Sequence, residues 1–231
     1  MGRNLALNVA EHGFRPVAYD REPKVTADGI RMAPTLAGLA DALARPRRIL
    51  LMVKAGRPVD DVIDGLRPHL EPGDVIVDGG NSHWADTARR ADALADDGVM
   101  LIGAGISGGE EGARHGPAIM AGGDAKAWDV VQPVLGAIAA EVGGEPCCRR
   151  FGPGGAGHFV KMVHNGIEYA VMQAIAEAWV MLRDLAELDA AMASKVFARW
   201  NDGPMGSYLL EITADILSTR DALADGALID K

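Results

Sequence analysis

At 231 residues, 48% apolar and 24% charged, the chain has ordinary globular composition and enough length for one or two domains. A net charge of −9 argues against a nucleic-acid groove, which concentrates Lys and Arg on one face. No run approaches the ~20 apolar residues of a membrane helix, and the first residues lack the basic-then-apolar order of a signal peptide. Ala6 stands where a myristoylation motif opening on Met1-Gly2 needs Ser or Thr. A soluble, cytoplasmic protein with no nucleic-acid or membrane partner is expected. The two cysteines, Cys147 and Cys148, are adjacent, which suits neither an unstrained disulfide nor a metal site, and a reducing compartment fits them.

A helix is expected at 4–12, with no strand ahead of it. A dinucleotide fingerprint, G-x-G-x-x-G/A, needs a strand, a tight turn and then a helix whose N-terminus faces the pyrophosphate; here only a final Gly2 and the helix remain. Asp20 closes the next strand, 18 residues after Gly2, near the offset of a ribose-binding acid. A capped surface helix followed by an ordinary strand-end Asp is the open alternative. Apolar runs at 15–19, 48–53, 74–77 and 99–102, and a weaker one at 118–120, alternate with helical stretches, the pattern of a parallel sheet covered by helices.

The basic group Arg45, Arg47 and Arg48 reads as a solvated helix-to-strand turn. The middle three strands each lead into a glycine-containing loop: KAG from Lys54, DGGNS from Asp78 and GAGISGG from Gly103. Ligands of open α/β sheets sit at such carboxyl ends, and the 29 glycines, above the usual ~7%, point to a nucleotide or sugar-phosphate site. Gly103, Gly105 and Gly108 also satisfy G-x-G-x-x-G. Because Gly109, Gly112, Gly116 and Pro117 follow, the expectation is a long substrate-wrapping loop with no helix behind it.

Past Phe151 a turn at 152–157 gives way to long helical periodicity. The boundary is placed near Pro153. The expected organisation is a Rossmann-like doubly wound parallel sheet over 1–153, its first strand missing, and the start of an all-helical domain over 154–231. In the helix from Gly157, Lys161, His164, Asn165 and Glu168 fall at i, i+3, i+4 and i+7, so they share one face over about 10 Å. Tyr169 borders the stripe, and apolar Val160, Met162, Val163 and Ile167 between them imply a helix buried around much of its circumference. A buried Lys and Glu are drawn toward neutrality, which suits acid–base chemistry; a polar ladder with a Lys161–Glu168 link fits the spacing equally.

The runs PRRILLMVKAG from Pro46, DGGNS from Asp78, GISGGEEGARHGP from Gly105, GEPCC from Gly144 and GAGHFVKMVHNGIEY from Gly155 resemble the 6-phosphogluconate dehydrogenases. WND from Trp200 and SYLLEIT from Ser207 continue the resemblance over nearly the whole chain. The related β-hydroxyacid dehydrogenases share the fold, a GISGG-like loop and a helical lysine, but HNGIEY after that lysine is characteristic of the phosphogluconate enzymes. The resemblance implies oxidative decarboxylation of 6-phosphogluconate to ribulose 5-phosphate and carbon dioxide. It makes Lys161 the base on the 3-hydroxyl and Glu168 the acid that protonates the enediol. Asn81, Ser107, Gly108, Gly109, His164 and Asn165 would hold the sugar acid and Tyr169 its phosphate.

The same resemblance puts the cofactor against Gly2, Val53, Lys54, Ala55 and Asn81, with Asp20, Arg21 and Glu22 at its ribose. Many NADP-using members carry Asn-Arg-Thr where this chain has Asp20-Arg21-Glu22. The retained Arg favours a 2′-phosphate and the acid opposes it, so NADP is expected with NAD as the alternative. No metal is implied, the cysteines become structural, and the full-length family is homodimeric. Family members begin with a strand and turn ahead of the position of Gly2, and carry further phosphate ligands and helices beyond that of Lys231. The resemblance therefore also leaves open a truncated, non-catalytic fragment, or a related β-hydroxyacid dehydrogenase.

Overall fold

A computed structural model describes residues 1–22, 30–220 and 229, and the chain divides into two units, Met1–Val163 and His164–Lys231. The first unit opens on α1 (Gly2–Glu11), which sends Leu5 into the core. Buried Asn8 donates from Nδ2 to the carbonyls of Ala113 and Ile138, at 3.2 and 3.1 Å. The short strands β1 (Val17–Ala18) and β2 (Arg31–Met32) pair in parallel, and among the described residues only with each other. The helix α2 (Leu36–Ala42) follows, its first turn capped by the Thr35 hydroxyl, which accepts from Gly38 N at 3.0 Å.

The main sheet is then built from β3 (Arg48–Leu51), α3 (Arg57–Leu66), β4 (Val75–Asp78), α4 (Trp84–Ala95), β5 (Met100–Ser107), α5 (Gly109–His115), β6 (Ala118–Gly123) and α6 (Ala125–Ala137). A small antiparallel pair, β7 (Glu141–Val142) and β8 (Glu145–Pro146), leads to β9 (Cys148–Arg150). The order across the sheet is β3-β4-β5-β6-β9. Along β4, Val75 and Val77 face a core shared with Leu5, Val131 and Leu135, while Ile76 faces one shared with Val59, Ile63 and Leu94. That alternation puts helices on both faces, the doubly wound arrangement expected of the aliphatic runs.

Strands β3, β4 and β5 are parallel, whereas β6 runs antiparallel to β5. The linker between them, 108–117, is shorter than the dozen or more residues a parallel crossover needs. Expected strand 99–102 is five residues too short at its far end, and 118–120 stops three short of Gly123. Glycines have low strand propensity, so Gly103, Gly105, Gly122 and Gly123 hide the continuation of both strands. Two further expectations are corrected. Gly103 and Gly105 lie within β5, and a helix, α5, does follow Gly108, so no long wrapping loop forms there.

The second correction concerns the basic turn. Arg45 and Arg48 are exposed, but Arg47 is 4% exposed and paired with Asp74, itself 2% exposed. Arg47 Nη1 donates to Asp74 Oδ2 and its backbone N–H to Oδ1, both at 2.7 Å, while Nε donates to Ala40 O at 2.9 Å. The pair joins the end of α2 to the start of β4, a tertiary role no local pattern reveals.

The second unit contains most of α7 (Ala156–Asp184), with α8 (Ala190–Asn201) and α9 (Tyr208–Ser218). Asp189 and Ser207 cap the last two by accepting from Met192 N and Leu210 N. Fully buried Phe197 centres a core of Ala193, Leu210, Ala214 and Leu217, with Ile175, Ala178 and Leu182 of α7 packed against it.

Burial acts to raise the Asp74 carboxyl, but the N–H groups of Arg47 and Glu71 and the Arg47 guanidinium hold it below its ordinary 3.8. Asp74→Ala leaves Arg47 buried without its carboxylate and is expected to cost about 3–5 kcal/mol at pH 7. Because the folded carboxyl titrates low, its contribution is complete above the unfolded value and lost as pH falls through the folded one. Urea denaturation should therefore show the gap between wild type and variant narrowing below about pH 4; a gap unchanged at lower pH contradicts this.

Candidate active site

The carboxyl ends of β3, β4 and β5 point the same way because these strands are parallel, and their following loops meet at one edge of the first unit. The N-terminus of α1 joins them there. A Cβ on Gly2 would sit 3.3 Å from Met52 Cβ, just past β3, and Asn4 Nδ2 donates to Glu110 O at the start of α5 at 2.8 Å. On Gly80 a Cβ would lie 3.0 Å from Val53 O. The structure thus brings together Gly2, the loop carrying Val53, Lys54 and Ala55, and the loop carrying Asn81. The first N–H groups of a helix have no intrahelical partners and sit at its positive end, so this edge suits an anion beside α1.

Asp20, Arg21 and Glu22 follow β1 and are exposed, with Glu22 N donating to Asp20 Oδ1 at 3.0 Å. Ser107 ends β5, and Gly108 and Gly109, exposed with φ of 121° and 61°, turn the chain into α5. Substitution at either would strain the backbone.

Lys161 reaches this region through a close contact between helix and sheet. A Cβ on Gly157 would overlap Gly103 O and crowd Gly122 N and Met120 O, each 2.5 Å away. One on Gly105 would overlap Lys161 Cβ, and one on Gly103 would stand 2.8 Å from His158 Nδ1. The first turns of α7 therefore lie directly on the backbone of β5 and β6, and Lys161 is 7% exposed there.

Further along α7, in the second unit, His164 Nδ1 is 3.6 Å from Glu168 Oε2, as i,i+4 spacing allows, and 3.3 Å from Asn165 Oδ1. The Glu168 side chain is 37% exposed and Tyr169 71% exposed. Met162, Val163 and Ile167 are also exposed, which corrects the expectation of a helix buried around most of its circumference. An apolar stripe says that a face can be covered and not by what, and within α7 only Gly157, His158 and Lys161 are buried. The burial expected of both Lys161 and Glu168 is met at Lys161 alone.

A second layer beneath the site was not singled out from sequence. Buried Asp78 accepts from Gly80 N through Oδ1 at 3.1 Å and from Ser82 Oγ through Oδ2 at 2.6 Å, fixing the loop on either side of Asn81. Buried Arg90 lies 3.5 Å from Asp78 and bonds Asp60 at 2.8 Å from Nε. His158 meets Thr87 Oγ1 at 2.7 Å. The one sequence signal available was a carboxylate closing an aliphatic strand, VIVD; Arg90 and Thr87 look like any polar residues of a surface helix. Among the described residues no group of three or more His, Cys, Asp or Glu is placed to hold a metal, and no helix is long and apolar enough to cross a membrane.

Comparison with known proteins matches residues 1–152 to the NAD binding domain of 6-phosphogluconate dehydrogenase and 157–231 to the C-terminal domain of the same enzyme. The chain is 51% identical over 242 aligned positions to a decarboxylating 6-phosphogluconate dehydrogenase of Aggregatibacter actinomycetemcomitans, covering 100% of this chain and 50% of that protein. It is 50% identical to a Bacillus subtilis relative named as NAD(+)-dependent and decarboxylating, covering 100% and 51%. Among solved structures, Plasmodium falciparum 6-phosphogluconate dehydrogenase superposes with a TM-score of 0.92 at 39% identity, over 100% of this chain and 51% of that one. That enzyme has been solved in its apo form, with its cofactor NADP+ and with its substrate 6-phosphogluconate. This chain spans about half the length of these relatives.

The close contact generates a paired prediction. Gly105→Ala should cost about 1–3 kcal/mol through overpacking against Lys161. Gly166→Ala, on the same helix with nothing within 4 Å, should stabilise by about 0.5–1 kcal/mol. Thermal unfolding of both variants checks this, and equal effects would contradict the contact.

Proposed function

Because the chain belongs to the 6-phosphogluconate dehydrogenase family, we propose that it supplies the cofactor-binding domain and catalytic helix for oxidative decarboxylation of 6-phosphogluconate to ribulose 5-phosphate. In this reading 1–153 is the cofactor domain and 154–231 the first part of a helical domain that pairs as a homodimer, in the cytoplasm. The observation that carries the reading is Lys161, buried on a glycine floor where β5 reaches the site edge, with HNGIEY directly along the helix.

Lys161 acts as the base that takes the proton of the substrate 3-hydroxyl. A nicotinamide held at the cofactor edge would supply the acceptor for the hydride that leaves the same carbon. The resulting 3-keto acid breaks its bond to the carboxylate, carbon dioxide leaves, and the electron pair becomes an enediol. Glu168 protonates the carbon that becomes C1 of the product. Asn81, Ser107, Gly108, Gly109, His164 and Asn165 hold the sugar acid, and Tyr169 its phosphate.

For the dinucleotide, Gly2 at the start of α1 supports a pyrophosphate, Val53, Lys54, Ala55 and Asn81 line it, and Asp20, Arg21 and Glu22 meet the adenosine ribose. The residues fit such a ligand: α1 opens at Gly2 with no side chain capping its first N–H groups, and a Cβ on Gly2 would meet only the Met52 side chain, at 3.3 Å. We assign NADP on the strength of Arg21, whose guanidinium suits a 2′-phosphate. The NAD-dependent relative keeps NAD as the alternative.

Two measurements check this. Lys161→Met should lower kcat for nicotinamide reduction with 6-phosphogluconate by about 10²–10⁴-fold while NADP still binds, and full turnover would remove Lys161 as the base. Arg21→Ala should weaken NADP by about 1.5–3 kcal/mol with little change for NAD; an equal loss for both would reverse the cofactor assignment.

A further inference from the structure

His158 lies one helical turn before Lys161 and is 2% exposed. Its Nδ1 is 2.7 Å from Thr87 Oγ1, while Nε2 is fully enclosed and makes no hydrogen bond among the described residues. An unsatisfied buried polar atom typically costs about 1–3 kcal/mol, so its persistence asks for a role. Burial pushes the imidazole below its ordinary range. The Asp78 charge and the backbones of Gly80 and Asp78 oppose that shift, and Arg90 adds to it. The ring is therefore neutral, with a single N–H to place.

Thr87 decides where that proton sits. Its hydroxyl has two acceptors in reach, His83 O at 3.3 Å and His158 Nδ1 at 2.7 Å. The shorter contact takes the proton, so Nδ1 accepts and Nε2 carries the hydrogen. The backbone groups that favour a charged ring are carbonyl acceptors, and they belong to the loop whose amide at Gly80 and hydroxyl at Ser82 are already held by Asp78.

We infer that His158 is a positioning residue: held as the Nε2–H tautomer by Thr87, it donates to a backbone carbonyl of Asp78 or Gly80 after a small shift of the 78–82 loop. Asn81 follows Gly80 directly and Lys161 follows His158 by one turn, so this bond fixes the spacing between a ligand-contacting loop and the base. The consequence for catalysis rests on the roles proposed for Asn81 and Lys161; the bond itself does not.

The test uses the 231-residue chain, uniformly labelled with nitrogen-15, without substrate. Long-range proton–nitrogen correlation spectra should show His158 protonated at Nε2 and bare at Nδ1. His158→Leu should speed amide hydrogen exchange at Gly80, whose N–H is held by Asp78, by about 2–10-fold, the effect of one lost hydrogen bond. His158→Gln, which keeps an N–H near the Nε2 position, should restore slow exchange. A ring protonated at Nδ1, or equal exchange in the Leu and Gln variants, overturns the inference. Neither readout depends on turnover, so a failed Lys161 assignment and a failed His158 bond give separate results.

Discussion

The rest of the structure depends on the first turns of α7 lying against bare backbone. Gly103, Gly105, Gly122 and Gly157 each stand where a Cβ would overlap the facing helix or strand. A side chain at any of them would push the helix outward and carry Lys161 with it. Packed interiors transmit such shifts with little absorption, since they have few voids to take up strain. The lysine is placed by what the opposing strand lacks. Two of these glycines, Gly103 and Gly105, lie inside β5, whose eight residues end at Ser107, at the edge where the other loops converge.

Beneath that edge, the loop carrying Asn81 is held from inside the fold. Asp78 ends β4 with its carboxylate turned back onto Gly80 and Ser82, and Arg90 and Asp60 continue the network. A buried carboxylate is tolerable when hydrogen bonds and a guanidinium surround it, and such networks specify one arrangement of the chain around them. The site thus has a rigid floor under Lys161 and a braced loop at Asn81. His164, Asn165, Glu168 and Tyr169 stand on the more open stretch of α7, where the helix itself sets their order.

What could be read in the sequence follows from which interactions are local. The aliphatic cores of β3 and β4 were legible because alternating burial on a two-faced sheet leaves an aliphatic run, and α7 because its period persists for 29 residues. The continuation of β5 and β6 was not, because a glycine chosen for close approach looks like a glycine chosen for a turn. Arg47 was misread for a similar reason: its partner, Asp74, lies 27 residues away, and nothing near Arg47 in sequence distinguishes a buried guanidinium from its exposed neighbours. At the site, i, i+3, i+4 and i+7 spacing gave the stripe on α7, but the second layer, Asp78 with Arg90 and His158 with Thr87, exists only once distant segments pack.

The central claim is that the glycine floor holds Lys161 as the base for the 3-hydroxyl. A crystal structure with 6-phosphogluconate bound tests it most directly. The account predicts Lys161 Nζ within hydrogen-bond reach of that hydroxyl, about 2.6–3.2 Å, with Gly105 still in contact with the lysine stem. A substrate bound with its 3-hydroxyl facing any other side chain, and Lys161 turned away from it, would contradict it.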